Sequence, residues 1–261
     1  RVFLRTRPFF GAQITILPAL YFIYRNYNFR PISLFSRYEL SWFYNQCPWV
    51  EKFICSKNLV SDLRLFPKKS YAMISFQPSS ERVLIIRLLK RPKTSSGFSY
   101  KNRFFNMIWD YSIPFSPNEY RAAHYLRLAS QNSGENDSEA FRSNMAAPFQ
   151  ALAELSCYVL ENSSAKHRIA ILPGGGAGDF KKWGLKNFLS LCQKISGTFF
   201  PDAIFDFILG PDEQEELKYL KEKDFPNIAI HYALPLADLS MVINQSELVI
   251  SNDCGPSHIA Q

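Results

Sequence analysis

The sequence has 261 residues, 47% hydrophobic and 20% charged, with a net charge of +7 at neutral pH. That is enough for one large domain or two ordinary ones, and too apolar for a disordered chain; no apolar run is long enough to predict a membrane-spanning helix, and no signal-peptide pattern is present. Five cysteines at wide spacing, with no C-x-x-C or H-x-x-x-H pattern, argue against a disulfide framework or a zinc site and for a reducing compartment.

In chain order, Arg1–Arg5 reads as a strand, so the chain opens inside an element. Thr15–Tyr27, entered near Pro18 and rich in Leu, Tyr and Phe, reads as a helix. Pro31–Phe35 and Tyr71–Phe76 are strand-like, and Ser80–Leu89 reads as a helix with Val83, Ile86 and Leu89 on one face. Ser130–Ser143 is polar, acidic and short of large apolar residues, and is read as a linker. The charge changes sign across it. Residues 1–130 hold 20 Lys/Arg against 6 Asp/Glu, whereas residues 131–261 hold 10 against 17. Two units with different partners are expected, divided as residues 1–145 and 146–261. The basic first unit suits an acidic substrate, an anionic membrane surface or nucleic acid; the last is disfavoured because the cations form no compact run and no RNA-binding signature appears.

The second half alternates regularly. Strands are read at His167–Pro173, Ala203–Leu209, Asn227–His231 and Glu247–Asn252. Helices are read at Lys186–Ile195, Asp212–Lys223, Pro235–Asn244 and from Gly255. Strands alternating with helices of about ten residues predict an α/β fold with a parallel sheet, and their Leu/Ile/Val/Phe content fits burial on both faces. Only four strands are visible, so the natural protein is expected to continue past Gln261.

Three segments at strand ends carry candidate chemistry. Pro173–Gly178 is a glycine cluster directly after a buried strand, where backbone N–H groups can approach a ligand; Lys181, Lys182 and Trp183 follow. A lysine there can neutralise a phosphate, although a flexible loop with two solvated lysines and a packed Trp has the same signature. Gly210–Glu213 places a carboxylate just past a strand, where it can grip ribose hydroxyls or simply start a helix. Ser251–His258 is a strand, a tight turn and a helix start with Pro256 near its first position, an arrangement that offers free N–H groups to an anion. Asp253 is a cap or a ligand contact, and His258 lies about one turn in.

Together these pieces resemble glycosyltransferase family 9, the bacterial lipopolysaccharide heptosyltransferases. The family pattern PG, K-x-W, G-x-x-E, L-x-[DE]-L and N-D-[ST]-G-P-x-H-x-A is met, in order, by Pro173-Gly174, Lys181 to Trp183, Gly210 to Glu213, Leu236 to Leu239 and Asn252 to Ala260. More loosely, Gly11 to Leu20 is similar to the family's G-D-x-x-x-x-x-P-A-L, and Asn45 to Ile54 to its N-P-x-V-D element.

The resemblance spans nearly the whole chain. It implies a GT-B fold: two Rossmann-like domains facing across a cleft, acceptor on the first, nucleotide-sugar donor on the second, with the second domain incomplete here. It implies inverting, metal-independent transfer with no cofactor, of a sugar such as heptose from an ADP-linked donor to an anionic glycolipid or glycan acceptor. The setting implied is cytoplasmic, peripheral on the inner face of the inner membrane. By position, Gly174, Gly175, Lys181, Trp183, Gly210, Glu213, Leu234, Asp253, Cys254, Gly255 and His258 are the donor-site candidates. Among these, Lys181 would meet the diphosphate, Glu213 the ribose and Leu234 the adenine. Arg5 and Arg7 are the acceptor candidates. Two positions depart from the family. Its general-base aspartate is Ala12 here, followed by Gln13, whose amide is not a useful base near neutral pH; Cys254 stands where Ser or Thr is usual. An inactive paralogue that binds the donor without transfer, and a UDP-sugar enzyme, are the alternatives.

Overall fold

The structure is a computed structural model, and it describes residues 1–4, 8–67, 72–77, 81–99, 106–130, 138–160, 167–176, 178–223 and 225–261. The acceptor candidates Arg5 and Arg7 therefore lie outside the described residues. The chain divides into two compact units, Arg1–Pro148 and Phe149–Gln261. No helix among the described residues is long and apolar enough to cross a membrane.

The first unit runs β1 (Val2–Phe3), α1 (Phe10–Ile14), α2 (Leu17–Asn26), β2 (Ile32–Ser36), α3 (Ser41–Tyr44), β3 (Val50–Cys55), α4 (Leu59–Leu65), β4 (Ala72–Ser75), α5 (Glu81–Lys90), β5 (Thr94–Ser99), β6 (Tyr111–Pro114) and α6 (Arg121–Ser130). A further helix, α7 (Ser138–Ala153), contains the boundary between the units. The six strands form one parallel sheet in the order β3-β2-β1-β4-β5-β6. The chain winds outward to one side from β1 and to the other from β4, so their carboxyl ends flank a topological switch point. Aromatic packing holds the sheet to its helices. Phe3 stacks on Phe35 at 4.9 Å and on Phe66 at 5.7 Å, and Val83 and Ile86 of α5 join that core, whereas Leu89, expected on the same face, is exposed because it lies about a third of a turn away from Val83 at the helix end.

The second unit runs β7 (His167–Leu172), α8 (Leu185–Thr198), β8 (Ala203–Leu209), α9 (Gln214–Lys223), β9 (Ile228–Tyr232), α10 (Leu236–Asn244) and β10 (Leu248–Ser251). Its sheet is parallel, in the order β10-β7-β8-β9. Alternation along the strands gives the sheet two different faces. Ile169, Ile171, Phe205, Phe207 and Leu209 build an apolar core with Phe188, Leu189 and Cys192 of α8. The opposite parity carries Arg168, Asp206 and His231, all buried. Helix α9 has Glu215 and Glu216 in its first turn and Lys221 and Lys223 in its last, as the helix dipole favours.

The expected alternation of the second half is present, with ends shifted by at most three residues, except that the helix expected from Gly255 is only a 3-10 turn, Pro256–Ile259. Two readings of the first half need correction. The helix read at Thr15–Tyr27 begins only at Leu17, because Pro18, which has no N–H, suits a first turn and not the interior of a longer helix. Ahead of it, Gly11, Ala12 and Gln13 belong to the short helix α1. The segment read as a linker ends α6 at Ser130 and starts α7 at Ser138; residues 138–143 are helical, Glu, Ala and Arg there being good helix formers whatever their polarity. The strands β3, β5 and β6 were not expected, since VEKFIC, TSSGFS and YSIP lack a continuous apolar run.

Candidate functional site

In the second unit β8 and β9 extend to one side of β7 and β10 lies on the other. The turns after β7 and β10 therefore meet at the carboxyl edge of the sheet, at its switch point. Asn252 ties them. Its N–H donates to the Leu172 carbonyl at 3.1 Å, its Nδ2 to the Pro173 carbonyl at 2.7 Å, and its Oδ1 accepts from the Trp183 N–H at 3.1 Å. One side chain thus holds together the end of β7, the Lys181–Trp183 turn and the start of the Asp253 turn.

Lys181 closes a short 3-10 turn, Asp179–Lys181, and its ammonium donates to the Asp253 carboxylate in an ion pair. The hydrogen bond and charge of Lys181 hold the Asp253 carboxyl below its ordinary range, and the charge of His258 adds to this. The adjacent Lys182 points elsewhere, 3.6 Å from Glu216. Composition and spacing do not separate these lysines; the family resemblance picks Lys181, and the ion pair with Asp253 places Lys181 at the strand-end turns.

Glu213 is buried. Its Oε2 accepts from the Gly210 N–H at 2.8 Å, which closes the turn that opens α9. Its other oxygen faces Gly174 so closely that a Cβ on that glycine would lie 2.8 Å from it. Gly175 is similarly close to the stem of Lys182, with 2.8 Å to Cγ. Gly174 and Gly175 are therefore packed against these side chains, with glycine required by close approach, whereas a Cβ on Gly176 would meet nothing within 4 Å. The Gly210 N–H is already satisfied within the chain.

Cys254 is buried, and burial pushes its thiol up; hydrogen bonds with Ser257 oppose this, and the charges of Glu213 and Asp253 reinforce it. Burial disfavours its thiolate form and with it nucleophilic reactivity. Gly255 caps the 3-10 turn Pro256–Ile259, which holds His258, half-buried, with Nδ1 3.4 Å from Gln261 Oε1. Trp183 is half exposed and packs edge-on against Phe188 at 5.0 Å. Leu234, half-buried, follows Ala233, whose φ of 49° is unusual for a residue with a Cβ. Its place just past β9 puts it at the same edge of the sheet, two strands from β7.

In the first unit, Ala12 is half-buried on α1 and carries no titratable group. Gln13 is fully buried and already engaged: Tyr44 Oη donates to its Oε1 at 2.9 Å, and its Nε2 donates to the Phe9 carbonyl at 3.2 Å. It is a packing residue, because both ends of its amide are spent inside the fold.

Two features escaped sequence reasoning. One is the tying role of the Asn252 side chain. The other is a buried polar network: the Arg168 guanidinium grips Asp206 (Nε to Oδ2 2.9 Å), His231 Nε2 lies 2.8 Å from Asp206 Oδ1, and the Tyr158 hydroxyl is 2.9 Å from His231 Nδ1. The signal was present as a lone Asp in AIFDFIL and a lone Arg in HRIAIL, each interrupting an apolar strand.

A family model described as glycosyltransferase family 9 (heptosyltransferase) matches residues 68–261. No curated protein sequence matches. The fold is similar to that of the Escherichia coli heptosyltransferase WaaC with ADP-2-deoxy-2-fluoro heptose, at TM-score 0.67 and 15% identity over 99% of this chain and 84% of that one. It is also similar to a glycosyl transferase family 9 structure from Veillonella parvula (TM-score 0.61, 17% identity, 99% and 76% covered). A third similar structure is the E. coli ADP-heptose lipopolysaccharide heptosyltransferase II (0.59, 12%, 100% and 81%). Identities this low speak to the fold, which is α/β of the GT-B class.

Proposed function

The chain belongs to glycosyltransferase family 9, and we propose that it binds an ADP-linked sugar, heptose being the leading candidate, and transfers it with inversion to an anionic glycolipid or glycan. The observation that carries this is the convergence of Lys181, Asp253, Glu213 and the glycine turn at the carboxyl ends of β7, β8 and β10. A cation beside backbone turns at a switch point is suited to a diphosphate, and a buried carboxylate one strand away is suited to ribose hydroxyls. The similar structures with ADP-2-deoxy-2-fluoro heptose and with ADP support the donor class.

In the proposed reaction an acceptor hydroxyl oxygen attacks the anomeric carbon opposite the diphosphate. The bond from that carbon to the diphosphate oxygen breaks, its electron pair leaves on the diphosphate, and the hydroxyl proton passes to water. Lys181 meets the developing charge, so no metal or cofactor enters this reading. As the diphosphate arrives, Lys181 exchanges Asp253 for phosphate oxygens, and the freed Asp253 carboxylate faces the sugar hydroxyls. The acceptor in this reading is membrane-borne, with the protein peripheral on the cytoplasmic face of the inner membrane.

The attacking hydroxyl must also lose a proton, and Ala12 and Gln13 supply no base. That observation favours a second reading, a paralogue that binds the nucleotide-sugar without transferring it. A general base is typically worth ~10²–10⁴ in rate.

Heat denaturation with ADP or UDP, on the wild type and on Lys181→Ala, tests the donor site. ADP should raise the midpoint, UDP less, and the variant should lose most of the shift. Equal protection of the variant would remove Lys181 from the site and with it the proposed chemistry. Release of ADP from an ADP-sugar with acceptor separates enzyme from paralogue.

A further inference from the structure

The helices α4 and α5 lie side by side on the first unit's sheet. Their inner faces, with Leu59, Leu63, Val83, Leu84 and Ile86, belong to the core. Their outer faces are also apolar. Val60 is 59% exposed and Leu65 48% on α4; Ile85 is 38%, Leu88 56% and Leu89 62% exposed on α5. Positions 85, 88 and 89 fall on one side of a helix, so the leucines form a stripe. Clustered exposed aliphatic side chains mark a surface that something covers.

The charge around the stripe says what. Of the two acids between Lys57 and Lys93, Asp62 is buried and paired with Arg82, which leaves Glu81 as the solvent-facing one, and Arg87 pairs with Asp110. Lys57, Arg64, Arg91 and Lys93 are exposed on this stretch. A second copy of the chain would bring like charges together across a two-fold axis. Nucleic acid would use the cations and leave the leucines without a role. A bilayer carrying anionic headgroups uses both, the aliphatic stripe entering the interface and the cations meeting the phosphates.

We propose that the outer face of α4 and α5 is a docking surface for an anionic lipid bilayer. This gives a face to the membrane contact proposed above and rests on that reading for its purpose, while its test reads the surface alone.

The test is co-sedimentation of the protein with vesicles of phosphatidylcholine, or of phosphatidylcholine doped with phosphatidylglycerol. The expected result is pelleting with the doped vesicles only, weakened by salt. Leu88→Gln/Leu89→Gln should lower the partition constant roughly tenfold. Arg64→Glu/Arg91→Glu should lower it by a similar factor. All these side chains are exposed, and ADP protection should be unchanged in both variants, which separates failure of the surface from failure of the donor site. The proposal is overturned if the wild type stays in solution with both vesicle types. It is equally overturned if the leucine variant binds as well as wild type. Conversion of a dimer to a monomer by that variant, with vesicles ignored, would assign the face to a second copy instead.

Discussion

Lys181 and Asp253, 72 positions apart in the sequence, form an ion pair where β7 and β10 end beside each other. The contact assembles a charged crevice from two turns that have no local reason to meet, and its partners are the groups a diphosphate would have to rearrange.

Asp253 titrates below the ordinary carboxyl value of 3.8 because Lys181 favours its charged form. A carboxyl whose folded value is depressed contributes stability that is present above 3.8 and lost as pH falls through the lower folded value. Asp253→Asn should therefore differ from wild type in denaturation midpoint at neutral pH, and the difference should close in stronger acid. The pair is exposed, so the effect is small, about 0–1 kcal/mol. The same variant should bind ADP alone roughly two- to tenfold more tightly, since a negative charge beside the phosphate site is gone. Isothermal titration of ADP checks this, and weaker binding would mean that the carboxylate serves ADP itself.

Gly174→Ala places a methyl group 2.8 Å from Glu213 Oε1 and 3.0 Å from its Cδ. The carboxylate cannot swing away freely, because it is buried and holds the Gly210 N–H. The expected cost is about 1–3 kcal/mol in urea denaturation, with loss of ADP protection in the same variant. Retention of both would show that the loop gives way easily.

Removing Asp206 takes a buried guanidinium's carboxylate away. Asp206→Ala removes the ion pair of buried Arg168 and takes a hydrogen-bond partner from His231. A loss of about 3–5 kcal/mol is expected. Exchanging the Arg168–Asp206 pair for apolar residues of similar volume should cost less than removing Asp206 alone, and a double-mutant comparison of Arg168→Met and Asp206→Leu measures the difference.

Gly97 lies under the Trp109 ring, and a Cβ there would come within 2.4–2.8 Å of three of its atoms. The ring is buried and cannot move aside without disturbing α5 and the Phe3 cluster. Gly97→Ala should destabilise the protein by about 1–3 kcal/mol or more by overpacking. A wild-type denaturation curve would show that the β5–β6 region repacks freely.

The second unit was legible because its signals are local. Apolar runs such as AIFDFIL, ended by Gly210-Pro211 or by the glycine cluster after Pro173, mark strands and their turns without reference to any partner. The first unit was less so, because β5 (TSSGFS) and β6 (YSIP) are strands by virtue of neighbours, as in the pairing of Gly97 with Ser112. Polarity misled at residues 138–143, where a helix was read as a linker.

By itself the sequence determined the fold class, the order of elements in the second half, the spacing of the family motifs and the absence of an aspartate at position 12. Tertiary structure alone decided that Lys181 and not Lys182 meets Asp253, that Asn252 ties the three turns, that Gln13 is spent inside the first unit, and that Asp206 has partners on two neighbouring strands. The reason is range. Periodicity and turn chemistry act within a few residues, whereas an ion pair or a buried network depends on strand order, which brings together residues tens of positions apart only once the sheet has formed.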